Sequence, residues 1–274
     1  MSRDAEGPPI LVVGYGVMAE AMVQGWLAAG MPAGRITLYN PRIKPAPPGV
    51  ALRTELPESI AGDVLLAFKP QVLPQVAPQL AERIGSDAMV LSVLAGVTLP
   101  RLADAFPGAD AHVRIMPNLA AAIGKSPNAL LGAGLDDAQR VRVTRLATML
   151  GSAEWLENEE VFDLATALAG SGPAFTYRMA GALIEAAAEL GLARDQAERM
   201  VGQMMHGAAA LAMLSTSGPA ELAARVASKG GMTQAGLDVL DRDGSLKTLM
   251  KQTLEATRNR GRELGAGIAG KTRA

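Results

Sequence analysis

Six short segments of this 274-residue chain, in four sets, hold residue types whose spacing could do chemistry. The first is Gly14-Tyr15-Gly16-Val17-Met18-Ala19, which has the GxGxxG/A form and directly follows the apolar run Ile10–Val13. Glycines at these positions let the backbone turn tightly and approach a pyrophosphate, and the start of the following helix favours negative charge. The pattern is common by itself. Its position at the first strand–helix junction of an alternating chain points to a dinucleotide site rather than a ligand-free glycine turn. The second segment, Leu38-Tyr39-Asn40-Pro41-Arg42, lacks the Asp or Glu that would hold the ribose 2′-hydroxyl of NAD. Asn40 can donate a hydrogen bond and Arg42 can pair with a 2′-phosphate, which favours NADPH over NADH.

The third set lies where later strands end: Ala67-Phe68-Lys69-Pro70, Val93-Leu94-Ala95-Gly96 and Met116-Pro117-Asn118. Sheets of this kind bind ligands at those carboxyl ends, and small residues at Ala95 and Gly96 leave room for a ribose or nicotinamide. The fourth, Ser228-Lys229-Gly230-Gly231-Met232-Thr233, puts hydroxyls on either side of two glycines ahead of a helix-like run, Gln234–Leu240. That is a pocket for an anion, with Thr233 as N-cap or as donor to a ligand. The same residues also read as a tight turn between two helices.

What is missing narrows the chemistry. There is no cysteine, so disulfides, thiolate metal sites and cysteine nucleophiles are excluded. His112 and His206 stand alone, no carboxylate cluster has metal-ligand spacing, and no GxSxG occurs, so neither a metal site nor a serine nucleophile is expected. Hydride transfer to an imine fits this inventory. A protonated imine is already electrophilic, so the protein need only position it and exclude water. The net charge of −1 and the lack of a basic block argue against a nucleic-acid partner or an anionic membrane surface. Met1–Pro9 does not read as a signal peptide and no apolar run is long enough to span a bilayer, so a cytoplasmic setting is expected.

The elements that must position these residues change character along the chain. Strand signals at Ile10–Val13, Ile36–Tyr39, Val50–Leu52, Asp63–Phe68, Met89–Val93 and Val113–Met116 alternate with helical ones at Met18–Ala29, capped by Gly30, and at Gln71–Ile84. A shorter tail adds Ala129–Leu131, a helix over Asp137–Leu150, and Ala153–Leu156. Alternation predicts a doubly wound parallel sheet, a Rossmann-like α/β domain over 1–158. Beyond Glu159 only Ala- and Leu-rich helices remain, too apolar to face water on most sides. They predict an all-α domain over 159–274 that dimerises.

The chain resembles the pyrroline-5-carboxylate reductase family over nearly its whole length. The resemblance rests on VGYGVMAEAM at 13–22, LLAFKP at 65–70, VLSVLAGVTL at 90–99, RIMPN at 114–118, AGSGPAF at 169–175 and VASKGGMTQAGLDVL at 226–240, the last two being the most specific. It implies an N-terminal Rossmann domain, a helical dimerisation domain, and NADPH-dependent reduction of a small cyclic imine, 1-pyrroline-5-carboxylate, to proline. It further implies a homodimer that can assemble into a decamer. Nucleotide contacts would fall on Val13, Gly14, Tyr15, Gly16, Val17 and Met18, on Asn40 and Arg42, on Ala67, Phe68, Lys69 and Pro70, on Val93, Leu94 and Ala95, and at Asn118. Ser228, Gly230, Gly231, Met232 and Thr233 would hold the substrate beside the partner subunit's nucleotide domain, with Thr233 reaching the imine nitrogen or the nicotinamide. The family pattern often has Pro at the position of Lys229 and Thr at that of Met232, and Thr-Pro-Ala where Leu119-Ala120-Ala121 stands. Lys229 adds a cation that favours a carboxylate, and Met232 replaces a hydroxyl with apolar bulk.

Overall fold

The computed structural model describes residues 7–270, so most of Met1–Pro9 lies outside the described residues. Two compact units are present, Met1–Ser171 together with Ala256–Ala274, and Gly172–Glu255.

The first unit is built on an eight-stranded sheet. Its strands are β1 (Ile10–Val13), β2 (Ile36–Tyr39), β3 (Ala51–Arg53), β4 (Asp63–Leu66), β5 (Met89–Ser92), β6 (Ala111–Met116), β7 (Ser126–Ala133) and β8 (Gly151–Trp155). Their spatial order is β3-β2-β1-β4-β5-β6-β7-β8. β1, β4 and β5 are buried along their whole length, as expected of strands covered on both faces. Ile10 and Val12 face a core with Met22, Val23 and Trp26 of α1 (Val17–Ala28) and Val143 and Leu146 of α4 (Asp137–Thr148). Leu11 and Val13 face the opposite core, with Leu73 and Leu80 of α2 (Leu73–Ala81) and Leu102 of α3 (Leu99–Ala105). Trp26 is fully buried and its indole N–H donates to the Leu146 carbonyl at 2.9 Å. α1 ends in a Schellman arrangement. Gly30 N–H donates to Leu27 O and Met31 N–H to Trp26 O, which places Gly30 one position past the cap, Ala29.

The sheet departs from the expected all-parallel form at one pair. β7 runs antiparallel to β6, and β8 is parallel to β7. The β6–β7 connection holds only a 3-10 turn over Leu119–Ile123, too short for the crossover a parallel pair needs. The helix expected over Gln71–Ile84 is a 3-10 turn at Pro70–Val72 followed by α2, and α3 was not anticipated.

Arg114 sits in the middle of β6 at 2 % exposure, beneath α5 (Glu159–Ala165). It pairs closely with Glu159, lies 3.7 Å from Asp163 and stacks 4.0 Å from the Phe162 ring. Glu159 also accepts from Leu99 N–H at 2.6 Å, tying α5 to the start of α3. α5 runs into a π-turn over Thr166–Gly170, closed by Ser171 N–H to Thr166 O.

The second unit is helical: α6 (Gly172–Glu189), α7 (Arg194–Leu214), α8 (Pro219–Val226), α9 (Met232–Leu240) and the beginning of α10 (Ser245–Gly270), whose remainder belongs to the first unit. Tyr177, Met200, Leu211 and Met213 stand exposed on it. Among the described residues no helix is long and apolar enough to cross a membrane.

Candidate active site

In an open parallel sheet a ligand crevice forms where neighbouring strands lead away in opposite directions, here between β1 and β4. The glycine segment lies at that point. Gly14 has φ +90° and donates to Tyr39 O at 2.8 Å, while Ala67 N–H donates to Val13 O at 2.8 Å. A Cβ built on Gly14 would lie 2.9 Å from both the Ala67 carbonyl oxygen and Phe68 Cβ, so the residue must be glycine for the two strand ends to meet. Gly16 differs. Its backbone is extended (φ −97°, ψ −175°) and an added Cβ would meet nothing within 4 Å. Protein packing does not demand a glycine there, whereas close approach by a phosphate would. Gly16 is the N-cap of α1 and offers no side-chain cap, so the first N–H groups of the helix point outward without an intramolecular side-chain acceptor.

The second predicted segment braces this loop. Asn40 Oδ1 accepts weakly from Tyr15 N–H at 3.4 Å, and its amide donates to Arg42 O at 2.6 Å. The Asn40 side chain is thus mainly a tie between the β1 and β2 exits, and Arg42 beside it is exposed. Lys44, which sequence reasoning missed, donates to Tyr15 O at 2.6 Å and adds a second cation at this edge. The Tyr15 side chain is buried, and burial, aided by the Glu20 carboxylate, pushes its pKa up, so the phenol stays neutral.

The remaining predicted cofactor residues follow the strand ends. Ala67 and Phe68 leave β4, exposed Lys69 caps the 3-10 turn that begins at Pro70, and Val93 N–H donates to Leu66 O. Side chains of Val13, Tyr15 and Leu94 belong to the cores, so these residues can offer a ligand only backbone. Val17 and Ala95 are exposed and Met18 half-buried. Asn118 is also at a strand end, but its amide is engaged. It donates to Ala169 O at 2.9 Å and accepts from Ala120 N–H at 2.9 Å, holding the π-turn and the 3-10 turn together. Below Ala95 and Gly96 lies a cavity of about 500 Å³ whose walls include Arg114, Thr166, Ser171 and Gly261.

In the second unit, Ser228 to Gly231 form a turn closed by Gly231 N–H to Ser228 O at 2.8 Å, with Gly230 at φ +73°. Gly231, not Thr233, is the N-cap of α9; Thr233 stands one turn-position inside the helix, beside Met232, which is 94 % exposed. The expected cap role for Thr233 is therefore corrected, and its hydroxyl remains available as a donor. The turn reading holds, and the turn leads into an α9 N-terminus that no side chain caps.

Comparison with known proteins identifies relatives over nearly the whole chain. The family profile described as "Pyrroline-5-carboxylate reductase dimerisation" matches residues 159–264. A pyrroline-5-carboxylate reductase of Pseudomonas aeruginosa is 31 % identical over 272 residues, covering 94 % of this chain and 97 % of that protein. One from Pisum sativum is 32 % identical, covering 92 % and 94 %. The solved structure of a pyrroline-5-carboxylate reductase from Coxiella burnetii superposes with a TM-score of 0.87 at 30 % identity, over 94 % of this chain and 98 % of that one. That of a Plasmodium falciparum pyrroline carboxylate reductase with NADP bound shares the fold, with a TM-score of 0.77 at 22 % identity over 95 % and 99 %. With similarity of this extent running through both the nucleotide crevice and the helical unit, the chain belongs to the pyrroline-5-carboxylate reductase family.

Proposed function

We propose that this chain reduces 1-pyrroline-5-carboxylate to L-proline. The observation that carries the reading is the glycine loop at the β1–β4 crevice, with Gly16 left open by the protein, in a chain belonging to this family. NADPH, when bound, supplies the hydride; the imine carbon receives it, the ring nitrogen receives a proton, and NADP⁺ is left. The chain's residues do the rest. The Gly14–Met18 backbone and the α1 N-terminus receive the pyrophosphate, and Arg42 meets the 2′-phosphate, so NADPH is preferred to NADH. Ala67–Pro70 and Val93–Ala95 wall the nucleotide. Ser228, Gly230, Gly231 and Met232 hold the substrate carboxylate and ring at the α9 N-terminus, and Thr233 hydrogen-bonds the ring nitrogen.

In this reading residues 1–158 form the nucleotide-binding domain and residues 159–274 the dimerisation and substrate domain. The assembly is a cytoplasmic homodimer whose copies associate into a decamer. Support comes from the family and from the apolar side chains exposed on α6 and α7. The test is steady-state NADPH oxidation with pyrroline-5-carboxylate beside its six-membered homologue. Turnover of the five-membered ring is expected. Turnover of the larger ring alone would move the substrate, and folded protein that binds NADPH but reduces neither would overturn the reading.

A further inference from the structure

The loop that follows β5 is held from behind by a distant part of the chain. Gly96 has φ +74°, and a Cβ on it would lie 2.9 Å from both Cα and N of Gly265 and 3.2 Å from Gly261 O. In the other direction, a Cβ on Gly265 would lie 2.5 Å from Gly96 O. Gly261 and Gly265 are four residues apart on α10, so both lie on the face that meets the loop. Here backbone touches backbone, with no side chain between to absorb a shift. The helix is fastened in that position by Arg262, which reaches Asp163 at 3.3 Å and Glu160 at 3.5 Å. Asp163 and Glu159 in turn flank the buried guanidinium of Arg114 in β6. Loop, helix and sheet therefore form one chain of contacts within the first unit.

We infer that the Gly261/Gly265 face of α10, clamped by Arg262, is a backstop that sets the position of Val93–Ala95 and, through it, the height of the nicotinamide against the substrate. This rests on the proposed placement of the nucleotide along Val93–Ala95. Neither glycine nor Arg262 touches reactants; they are positioning residues. A methyl group at residue 265 would start roughly 1 Å inside ordinary contact with Gly96 O, so the loop and the helix must part. Displacements of about 1 Å can cost on the order of 100-fold in rate when two reactants must be aligned.

The test uses the full-length protein, with Gly265→Ala, which pushes the loop, and Arg262→Ala, which releases the helix without adding volume. Three readouts are taken: amide hydrogen exchange of residues 93–97 without nucleotide, the NADPH Kd by fluorescence, and kcat with its deuterium isotope effect from 4-deuterated NADPH. Faster exchange at 93–97 is expected in both variants. NADPH Kd should stay within about threefold, because the Gly14–Met18 anchor is untouched, while kcat falls at least about tenfold for Gly265→Ala and the isotope effect grows as hydride transfer becomes limiting. Unchanged exchange and kcat in both variants would overturn the inference. So would a kcat loss matched by an equal rise in Kd, which would assign the helix to nucleotide anchoring instead. If the wild type binds NADPH but reduces no imine, the functional reading fails by itself, and the exchange data still decide whether α10 fixes the loop.

Discussion

Gly14 and Gly16 are separated by one residue, and the structure predicts that methylating them has opposite consequences. In Gly16→Ala the new Cβ meets nothing within 4 Å and the backbone is already extended, so folding should scarcely register it. Replacing glycine by alanine at an N-cap costs about 0.5–1 kcal/mol, roughly 1–4 °C in Tm for a chain of this size. The same methyl would occupy the space into which a pyrophosphate must come to reach the α1 N–H groups. Losing one charge-assisted hydrogen bond of about 1.5–3 kcal/mol raises the NADPH Kd roughly 10- to 150-fold. In Gly14→Ala the methyl would press on the Ala67 carbonyl and Phe68 at 2.9 Å from a left-handed backbone. Strain of about 1–3 kcal/mol plus overpacking of similar size should lower Tm by roughly 5–15 °C. Differential scanning fluorimetry with and without NADPH, beside fluorescence titration, reads both quantities. Wild-type NADPH affinity in Gly16→Ala would refute the assignment of this loop to the pyrophosphate, whatever Gly14→Ala does.

Arg42→Ala should weaken NADPH about tenfold or more while leaving NADH within about twofold; equal losses would show that Arg42 does not read the 2′-phosphate. Thr233→Ala should raise the substrate KM or lower kcat about tenfold with NADPH binding intact, and unchanged turnover would remove Thr233 from the site. Stability should fall as pH drops below 6.5, the ordinary value of a histidine, because burial holds His112 below it despite its hydrogen bond to Phe106 O. In that window the unfolded chain binds a proton that the folded one refuses, so the contribution is complete above 6.5 and is lost on acidification. Asp63, whose pKa burial raises against the pull of Arg142, acts in the opposite sense in both proteins. The difference in urea midpoint between wild type and His112→Gln across pH 5–7 therefore isolates the histidine. A pH-independent difference would contradict this account.

Much of the sheet was legible because parallel strands buried on both faces must be apolar throughout, as at Ile10–Val13 and Met89–Ser92. β7 was harder to bound, since its first residues, Ser126 and Asn128, are polar yet buried. The two N–H bonds of the Asn128 amide are shared among the carbonyls of Ser126, Ala147 and Ser152, partners that sequence cannot supply. Glycine patterns pointed to the crevice between β1 and β4, yet spacing could not distinguish Gly14, fixed by packing, from Gly16, left open. Nor could it show that Asn118 is spent on its neighbours. Arg114 was a missed signal. A buried cation inside the run Ala111–Met116 requires acidic partners, and half-buried Glu159 and Asp163 of a later helix meet that need. Lys44 had no such sign, because its partner is a backbone carbonyl.

The contact between Gly96 and α10 also bears on the order in which the protein is made. A nascent chain emerging as far as Ser171 already contains all eight strands, but the helix that closes on the β5 loop is synthesised only after the whole of Gly172–Glu255. The second unit is thus an insertion between two parts of the first, and the first unit reaches its final form through a long-range, late closure. During synthesis the crevice side of the sheet exists before its backstop does, so the Gly14–Met18 loop forms with the sheet while the β5 loop gains its support only with α10.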